Sequence, residues 1–249
     1  MTQLLVSVRN VDEAIAAVEG GADIIDVKEP NRGSLGCAAP DVILAIADAI
    51  SRVKVAKPPL SLALGELHEW QSSDPTSLRC AIQNSAPQFL KLGLAAACTL
   101  PGSGSWVAEW QQVRSTICGA HEWVAVAYAD DKQARSPGID WVLQAAIAGG
   151  CRVLLIDTHN KNGRSLLHQM PMDSLHALRG QTREHGLKLA LAGSVAISNL
   201  PLLLQIQPDI IAVRGAVCAQ GDRTATVSKS LVQQFRIAMG HARRSDGSV

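Results

Sequence analysis

Four places in the chain set charge or glycine where apolar strands end, and together they could perform amine-based carbonyl chemistry. The first is Asp23-Ile24-Ile25-Asp26-Val27-Lys28-Glu29-Pro30. In a strand, alternation sets Asp26 and Lys28 on one face and Ile25 and Val27 on the other. Desolvation beside other cations frees a lysine amine as a nucleophile. The plainer alternative is a structural Asp–Lys ion pair at a strand end. In Phe89-Leu90-Lys91-Leu92-Gly93-Leu94 a single lysine interrupts an apolar run. Buried there, Lys91 requires a carboxylate or a substrate anion, unless its stem carries the ammonium out to solvent. The third stretch, Leu154-Leu155-Ile156-Asp157-Thr158-His159-Asn160-Lys161, places Asp157 at a strand end and Lys161 in the loop above it. An aspartate among lysines can move protons or hold an amine charged. His159 could act as a base, although a loop histidine is more often solvated or capping. The last stretches, Gly193-Ser194 and Arg214-Gly215-Ala216, offer backbone N–H groups and a guanidinium to a phosphate. Three lysines, two aspartates and a phosphate-binding end describe a Schiff-base enzyme for a small phosphorylated carbonyl compound. Its iminium would act as the electron sink for deprotonation, aldol addition and β-elimination, with no cofactor or metal required.

These residues must be positioned by a scaffold, and the chain alternates short apolar runs with amphipathic ones throughout. The strand-like runs are Leu4–Val8, Ala22–Val27, Leu60–Leu64, Phe89–Leu94, Trp123–Tyr128, Val153–Asp157, Lys188–Ala192 and Ile210–Arg214. Helix-like runs lie between them, among them Val11–Glu19 before Gly20-Gly21, Pro40–Ser51, Ile139–Ala148 before Gly149-Gly150, Leu175–His185 before Gly186 and Val227–Met239 before Gly240. Continuous apolar strands alternating with helices predict a parallel sheet covered by helices. About eight such units match a (β/α)8 TIM barrel, whose site lies at the C-terminal ends of the strands. The competing doubly wound sheet would carry a glycine-rich first turn, and Val8-Arg9-Asn10 has none. One domain over residues 1–249 is expected, with 241–249 a frayed tail.

Composition excludes other function classes. Twenty-three Lys and Arg against 22 Asp and Glu leave a net charge of +1, so no global field draws the chain to nucleic acid or an anionic membrane. Aromatic residues are only 3%, too few for stacking single strands. The start, Met1-Thr2-Gln3-Leu4-Leu5-Val6, lacks the basic flank and apolar run of a signal peptide, and no apolar run is long enough to span a bilayer. The six cysteines are widely spaced and several adjoin small apolar residues, as in Cys80-Ala81 and Ala97-Cys98. They are expected to be buried thiols of a cytoplasmic protein. His168 and His176 form no ligand constellation, and Gly102-Ser103-Gly104-Ser105 is expected to be a loop.

The opening from Leu4 to Gly36, LLVSV…VDEA…GGADIIDVKEP…GSLG, resembles the (5-formylfuran-3-yl)methyl phosphate synthase family of methanofuran biosynthesis. The likeness continues through FLKLGL, LLIDT…K…G, LAGS and VRGA over nearly the whole chain. The resemblance implies a TIM-barrel lyase of one-carbon metabolism that condenses two glyceraldehyde 3-phosphates into a furan aldehyde phosphate, with loss of phosphate and water. It also implies that Lys28 is the Schiff-base lysine and Lys91 the proton acceptor, with Asp26, Asp157 and Lys161 at the remaining catalytic positions. Gly193, Ser194, Arg214, Gly215 and Ala216 are the expected phosphate-binding residues.

Two loops match no motif, Gly65-Glu66-Leu67-His68-Glu69-Trp70 and Ala129-Asp130-Asp131-Lys132. Two other functions stay open: another class I aldolase-type barrel on a different sugar phosphate, or a catalytically silent phosphate-binding barrel. The expected partner is a triose phosphate rather than a nucleic acid or membrane. A homo-oligomer is expected, with Trp106, Trp110, Trp123 and Trp141 open between core and interface.

Overall fold

The computed structural model describes residues 1–53, 57–71, 74–99, 106–160 and 164–245. Strands β1 (Gln3–Val8), β2 (Ile24–Val27), β3 (Leu60–Glu66), β4 (Phe89–Gly93), β5 (Glu122–Tyr128), β6 (Val153–Asp157), β7 (Lys188–Leu191) and β8 (Ile210–Val213) pair in sequence order, all parallel. β8 returns to β1 with Val6 opposite Val213, which closes the TIM barrel.

The connecting helices wrap the outside. They are α1 (Val11–Glu19), α2 (Pro40–Ser51), α3 (Thr76–Ser85), α4 (Trp106–Ser115), α5 (Asp131–Ala134), α6 (Ile139–Ala148), α7 (Leu166–Gln169), α8 (Met172–Glu184), α9 (Leu200–Gln205) and α10 (Lys229–Ser245). Local chemistry sets several of their limits. The Asn10 side chain accepts the Glu13 N–H at 2.9 Å and starts α1. Gly20 ends that helix where a Cβ would stand 2.5 Å from Val232 of α10, so α1 and α10 approach each other closely only because no side chain intervenes.

The apolar residues divide as the period of two requires. One layer fills the barrel, with Leu5, Ile24, Ala63, Phe89, Val126, Leu155, Ala190 and Ile210 among its members. The other lies between strands and helices and holds Ile25, Val27, Leu90, Leu92, Leu154 and Ile156. The even and odd positions of β2, β4 and β6 therefore face opposite ways, and Asp26, Lys91 and Asp157 fall on the interior side.

Several boundaries differ from the sequence expectation. α10 runs through Gly240 to Ser245, so the expected stop is absent and the expected tail is helical over its first part. A glycine ends a helix reliably only where the chain turns left-handed, and Gly240 has no positive φ. The buried stripe of Val232, Phe235 and Met239 anchors the helix up to that glycine. Cys37, Cys151 and Cys218 are buried, but Cys80, Cys98 and Cys118 are exposed, so an adjoining alanine is no guide to burial. Burial pushes the Cys37 and Cys151 thiols up to about 11, which keeps them unreactive. Trp110 is fully buried, while Trp141 is 73% exposed on α6. Among the described residues no helix is long and apolar enough to cross a membrane. The Gly102–Ser105 stretch lies outside the described residues.

Candidate active site

The C-terminal ends of the strands surround a cavity of about 420 Å³, within the range of about 300–1,000 Å³ usual for small-molecule sites. Asp26, Lys28, Lys91, Asp157, Gly193, Ser194, Arg214, Gly215 and Ala216 all line it. Lys161 lies outside the described residues.

The floor of the cavity is an ion pair between strands that are not neighbours. Lys91 Nζ on β4 stands 2.5 Å from Asp26 Oδ1 on β2, with both side chains almost fully buried. The intervening strand β3 presents Ser61 and Ala63, opposite Asp26 and Lys91 respectively. Their small side chains leave room for the lysine stem to cross. Ser7 Oγ of β1 donates to Asp26 Oδ2 at 2.9 Å, so both carboxylate oxygens are engaged. The plainer alternative, a structural pair of Asp26 with Lys28, gives way to a buried pair of Asp26 with Lys91.

Lys28 Nζ instead donates to the Ser34 carbonyl at 3.2 Å, while its backbone N–H donates to Val8 O at 3.0 Å. Ser34 is fully buried, and its hydroxyl donates to Thr158 O at 2.8 Å and to His159 O at 3.2 Å. The loop after β2 is thus latched to the loop after β6. Leu35 of that same loop is buried in the barrel mouth. Asp157 Oδ1 accepts the Thr158 N–H at 2.7 Å, which orients the carboxylate at the cavity wall.

Backbone donors form the opposite wall. The N–H groups of Gly193, Ser194, Val195, Gly215 and Ala216 donate to no carbonyl or side chain among the described residues. Gly193 has φ +93°, and a Cβ there would stand 2.9 Å from Thr158 Cγ2. The β7 and β6 loops can therefore meet only at a glycine. The sequence predicts helices opening directly after these strands. The structure has single 3-10 turns there instead, Ile197–Asn199 and Gly215–Val217, so it is the loop N–H groups that face the cavity.

Arg214 departs from its expected role. Its Nη1 donates to Ser7 O at 2.9 Å and Glu13 Oε2 at 2.8 Å, and its Nη2 to Glu13 Oε1 at 3.2 Å and Ala225 O at 3.3 Å. Its Nε donates to Arg223 O. A guanidinium has five N–H donors, and all five are engaged inside the protein. Glu13, completely buried on α1, also accepts the Arg9 N–H at 3.0 Å. The expectation of a direct Arg214–phosphate contact is corrected: Arg214 ties β1, α1 and the β8 loop together and faces the cavity without a donor to offer.

Sequence reasoning also missed a polar cluster beside the mouth. Glu66, at the end of β3, is buried, and its Oε1 accepts from Tyr128 OH at 2.6 Å while Oε2 accepts the Ala95 N–H at 2.8 Å. Tyr128 sits opposite Asp157 in the β5–β6 register and packs edge-on against His159, ring centroids 5.2 Å apart. His159 Nδ1 is buried with no hydrogen-bond partner among the described residues. The backbone N–H groups of His159 and Asn160 are held by Asp130, at 2.7 and 2.9 Å. Both loops that matched no motif thus act through a buried carboxylate. An acidic residue at or just past the end of a strand is a weak signal, and only the partners reveal its use.

Burial is the main influence raising the Glu66 pKa, opposed by the Tyr128 and Ala95 hydrogen bonds. Burial likewise raises the Tyr128 phenol well above its ordinary value, reinforced by the Glu66 charge. Because the folded pKa of Glu66 is raised, its contribution to stability is fullest below its ordinary value of 4.5 and falls as pH rises through the raised value. Tyr128→Phe removes a donor that favours the carboxylate. The variant is expected to lose about 1–3 kcal/mol of stability at neutral pH, and less in mild acid, where Glu66 carries a proton. Urea unfolding at the two pH values checks this; an equal loss at both would show that the Glu66 charge plays no part.

Among the described residues no three His, Cys, Asp or Glu side chains converge as a metal site. The arrangement offers amine chemistry, carboxylates to manage protons and a wall suited to anions.

Comparison with known proteins agrees with this arrangement. A solved structure of 3-hexulose-6-phosphate synthase from Salmonella typhimurium superposes with a TM-score of 0.60, covering 97% of this chain and all of that one, at 13% identity. At that identity the likeness is one of fold. A (5-formylfuran-3-yl)methyl phosphate synthase from Methanococcus maripaludis strain S2 is 35% identical over 236 residues, covering 93% of this chain and 97% of that protein. One from Methanosarcina barkeri strain Fusaro is 33% identical over 233 residues, with 94% and 97% covered. The family model described as 4-HFC-P synthase matches residues 4–236. With that match spanning every strand and the cavity they enclose, the chain belongs to the 4-HFC-P synthase family.

Proposed function

We propose that the cavity condenses two molecules of glyceraldehyde 3-phosphate into (5-formylfuran-3-yl)methyl phosphate through an imine on Lys28, with loss of one phosphate and of water. The observation that carries this reading is a cavity opened on by two lysines, one of them held by Asp26 at 2.5 Å and the other beside it on the β2 loop.

Each group has a role that accords with its surroundings. The Lys28 amine adds to the aldehyde carbon and water leaves, giving an iminium that acidifies the adjacent C–H bond. Lys91, acting as the neutral amine, takes that proton, and Asp26 holds the ammonium so formed in the ion pair between the two. The resulting enamine expels phosphate from the carbon β to the imine. The enol so formed adds through its terminal carbon to the carbonyl of the second triose phosphate in its isomerised ketone form, and ring closure with loss of water gives the furan. Asp157, oriented by the Thr158 N–H, exchanges protons with the oxygens that leave as water. Lys161 supports the same steps by the family resemblance. The N–H groups at the ends of β7 and β8, without partners among the described residues, receive phosphate oxygens.

Borohydride trapping with glyceraldehyde 3-phosphate, followed by peptide mass mapping, tests the reading. A reduced three-carbon adduct on Lys28 is expected. If substrate binds and no lysine carries an adduct, the imine step is wrong and a phosphate-binding barrel remains.

A further inference from the structure

We infer that Arg223, rather than Arg214, is the guanidinium that holds a substrate phosphate, and that it sets the preference for a phosphorylated over an unphosphorylated triose. The inference deepens the proposed function and rests on it for the identity of the substrate.

The cavity's anion wall needs a cation that is not otherwise committed. Five backbone N–H groups there have no described partner, and Arg214 has no donor left to join them. Lys28 and Lys91 are the reacting amines. Arg223 lines the same cavity, in the loop that comes after β8. Only its Nη2 is engaged among the described residues, donating to Gly33 O at 2.8 Å. Four N–H donors of a planar fork therefore remain, the number and shape that suit two oxygens of a phosphate.

The surroundings of Arg223 favour the same assignment. It is half-buried and feels the negative charge of Asp157 and the positive charge of Arg214. A guanidinium desolvated beside another guanidinium gains more from an incoming anion than one in open solvent. The neighbouring carboxylate does not take that place: Asp222 Oδ1 accepts from Thr224 N–H and Oγ, each at 2.8 Å, and closes its own turn.

The one hydrogen bond that the Arg223 side chain makes among the described residues links it to the reacting amine. Gly33 precedes Ser34, whose carbonyl accepts from Lys28 Nζ. A phosphate seated on Arg223 is therefore joined through one short loop to the amine that attacks the carbonyl. The two ends of a triose phosphate, aldehyde and phosphate ester, would be registered against one structural unit.

The test uses the full chain with Arg223→Gln and Arg223→Lys. Calorimetric titration with inorganic phosphate is expected to show affinity about 10–100-fold weaker in Arg223→Gln, as for loss of a charge-assisted pair. KM for glyceraldehyde 3-phosphate rises by a similar factor with a smaller change in kcat. Borohydride trapping of unphosphorylated glyceraldehyde on Lys28 stays at the wild-type level. Arg223→Lys restores the charge without the fork and falls between the two; should Arg223→Gln not fold, wild-type phosphate affinity in Arg223→Lys overturns the proposal. It is equally overturned if the wild type binds no inorganic phosphate, if Arg223→Gln binds it unchanged, or if that variant loses both aldehydes alike. Failure of the Schiff-base reading would look different: no adduct on Lys28 with either aldehyde, while the phosphate titration still responds to Arg223.

Discussion

Lys28→Arg is expected to lower turnover by roughly 10⁴-fold or more, the scale on which loss of a covalent nucleophile is felt. The substitution keeps the positive charge but replaces an amine that can form an imine with a guanidinium that cannot. The fold is expected to survive. The backbone of Lys28 is fixed by its own N–H to Val8 O, and its side chain is only half-buried, so stability should change by no more than about 1 kcal/mol. Appearance of the furan aldehyde chromophore measures the first quantity and a thermal melt the second. Turnover within tenfold of wild type would remove Lys28 from the covalent step. Loss of activity accompanied by a large fall in melting temperature would mean that the variant reports on structure instead.

Asp26→Asn is expected to produce the largest loss of stability. The carboxylate is completely buried, takes the Lys91 ammonium at 2.5 Å and accepts from Ser7 Oγ at 2.9 Å. Asparagine fills the same space but leaves the ammonium buried without a counter-charge, a change that costs about 3–5 kcal/mol. For a chain of this length that lowers the melting temperature by about 10 °C. Activity falls as well, since Lys91 loses the group that steadies it in the protonated form. The double variant Asp26→Asn/Lys91→Met separates the two effects. Removing the stranded charge is expected to return most of the stability while leaving the enzyme inactive, so the stability effects of the two substitutions couple and the catalytic ones do not rescue each other. Strictly additive losses of stability would show that the two side chains do not depend on one another.

Much of the fold could be read from local pattern, because what it required was local. Glycine pairs after Val11–Glu19 and Ile139–Ala148 stop helices where the chain must turn, and these helices have the limits expected of them. Leu90 and Leu92 against Lys91, or Ile25 and Val27 against Asp26, reveal a strand's two faces through nothing more than the period of two. Asp157 was legible only as a carboxylate at a strand end, and the structure shows that it lines the cavity. The limits were also local: Gly240 reads as a stop, yet α10 continues past it, and the buried stripe before it packs against α1, a helix more than two hundred residues away in sequence.

By itself, then, the sequence determined the alternation of strands and helices, the parallel barrel that alternation requires, and the face on which each charged strand residue lies. The tertiary structure decided who meets whom inside. Asp26 reaches Lys91 across β3 rather than Lys28 beside it. Arg214 gives all its donors to Glu13 and to carbonyls, while Arg223, in a polar loop with no pattern of its own, stands open on the cavity. The Glu66–Tyr128 pair joins residues 62 positions apart. The physical reason is that a side chain's orientation is set by its own strand's period. Its partner depends on strand stagger, on barrel closure and on the size of the residue between, and none of these is written in a local stretch of sequence.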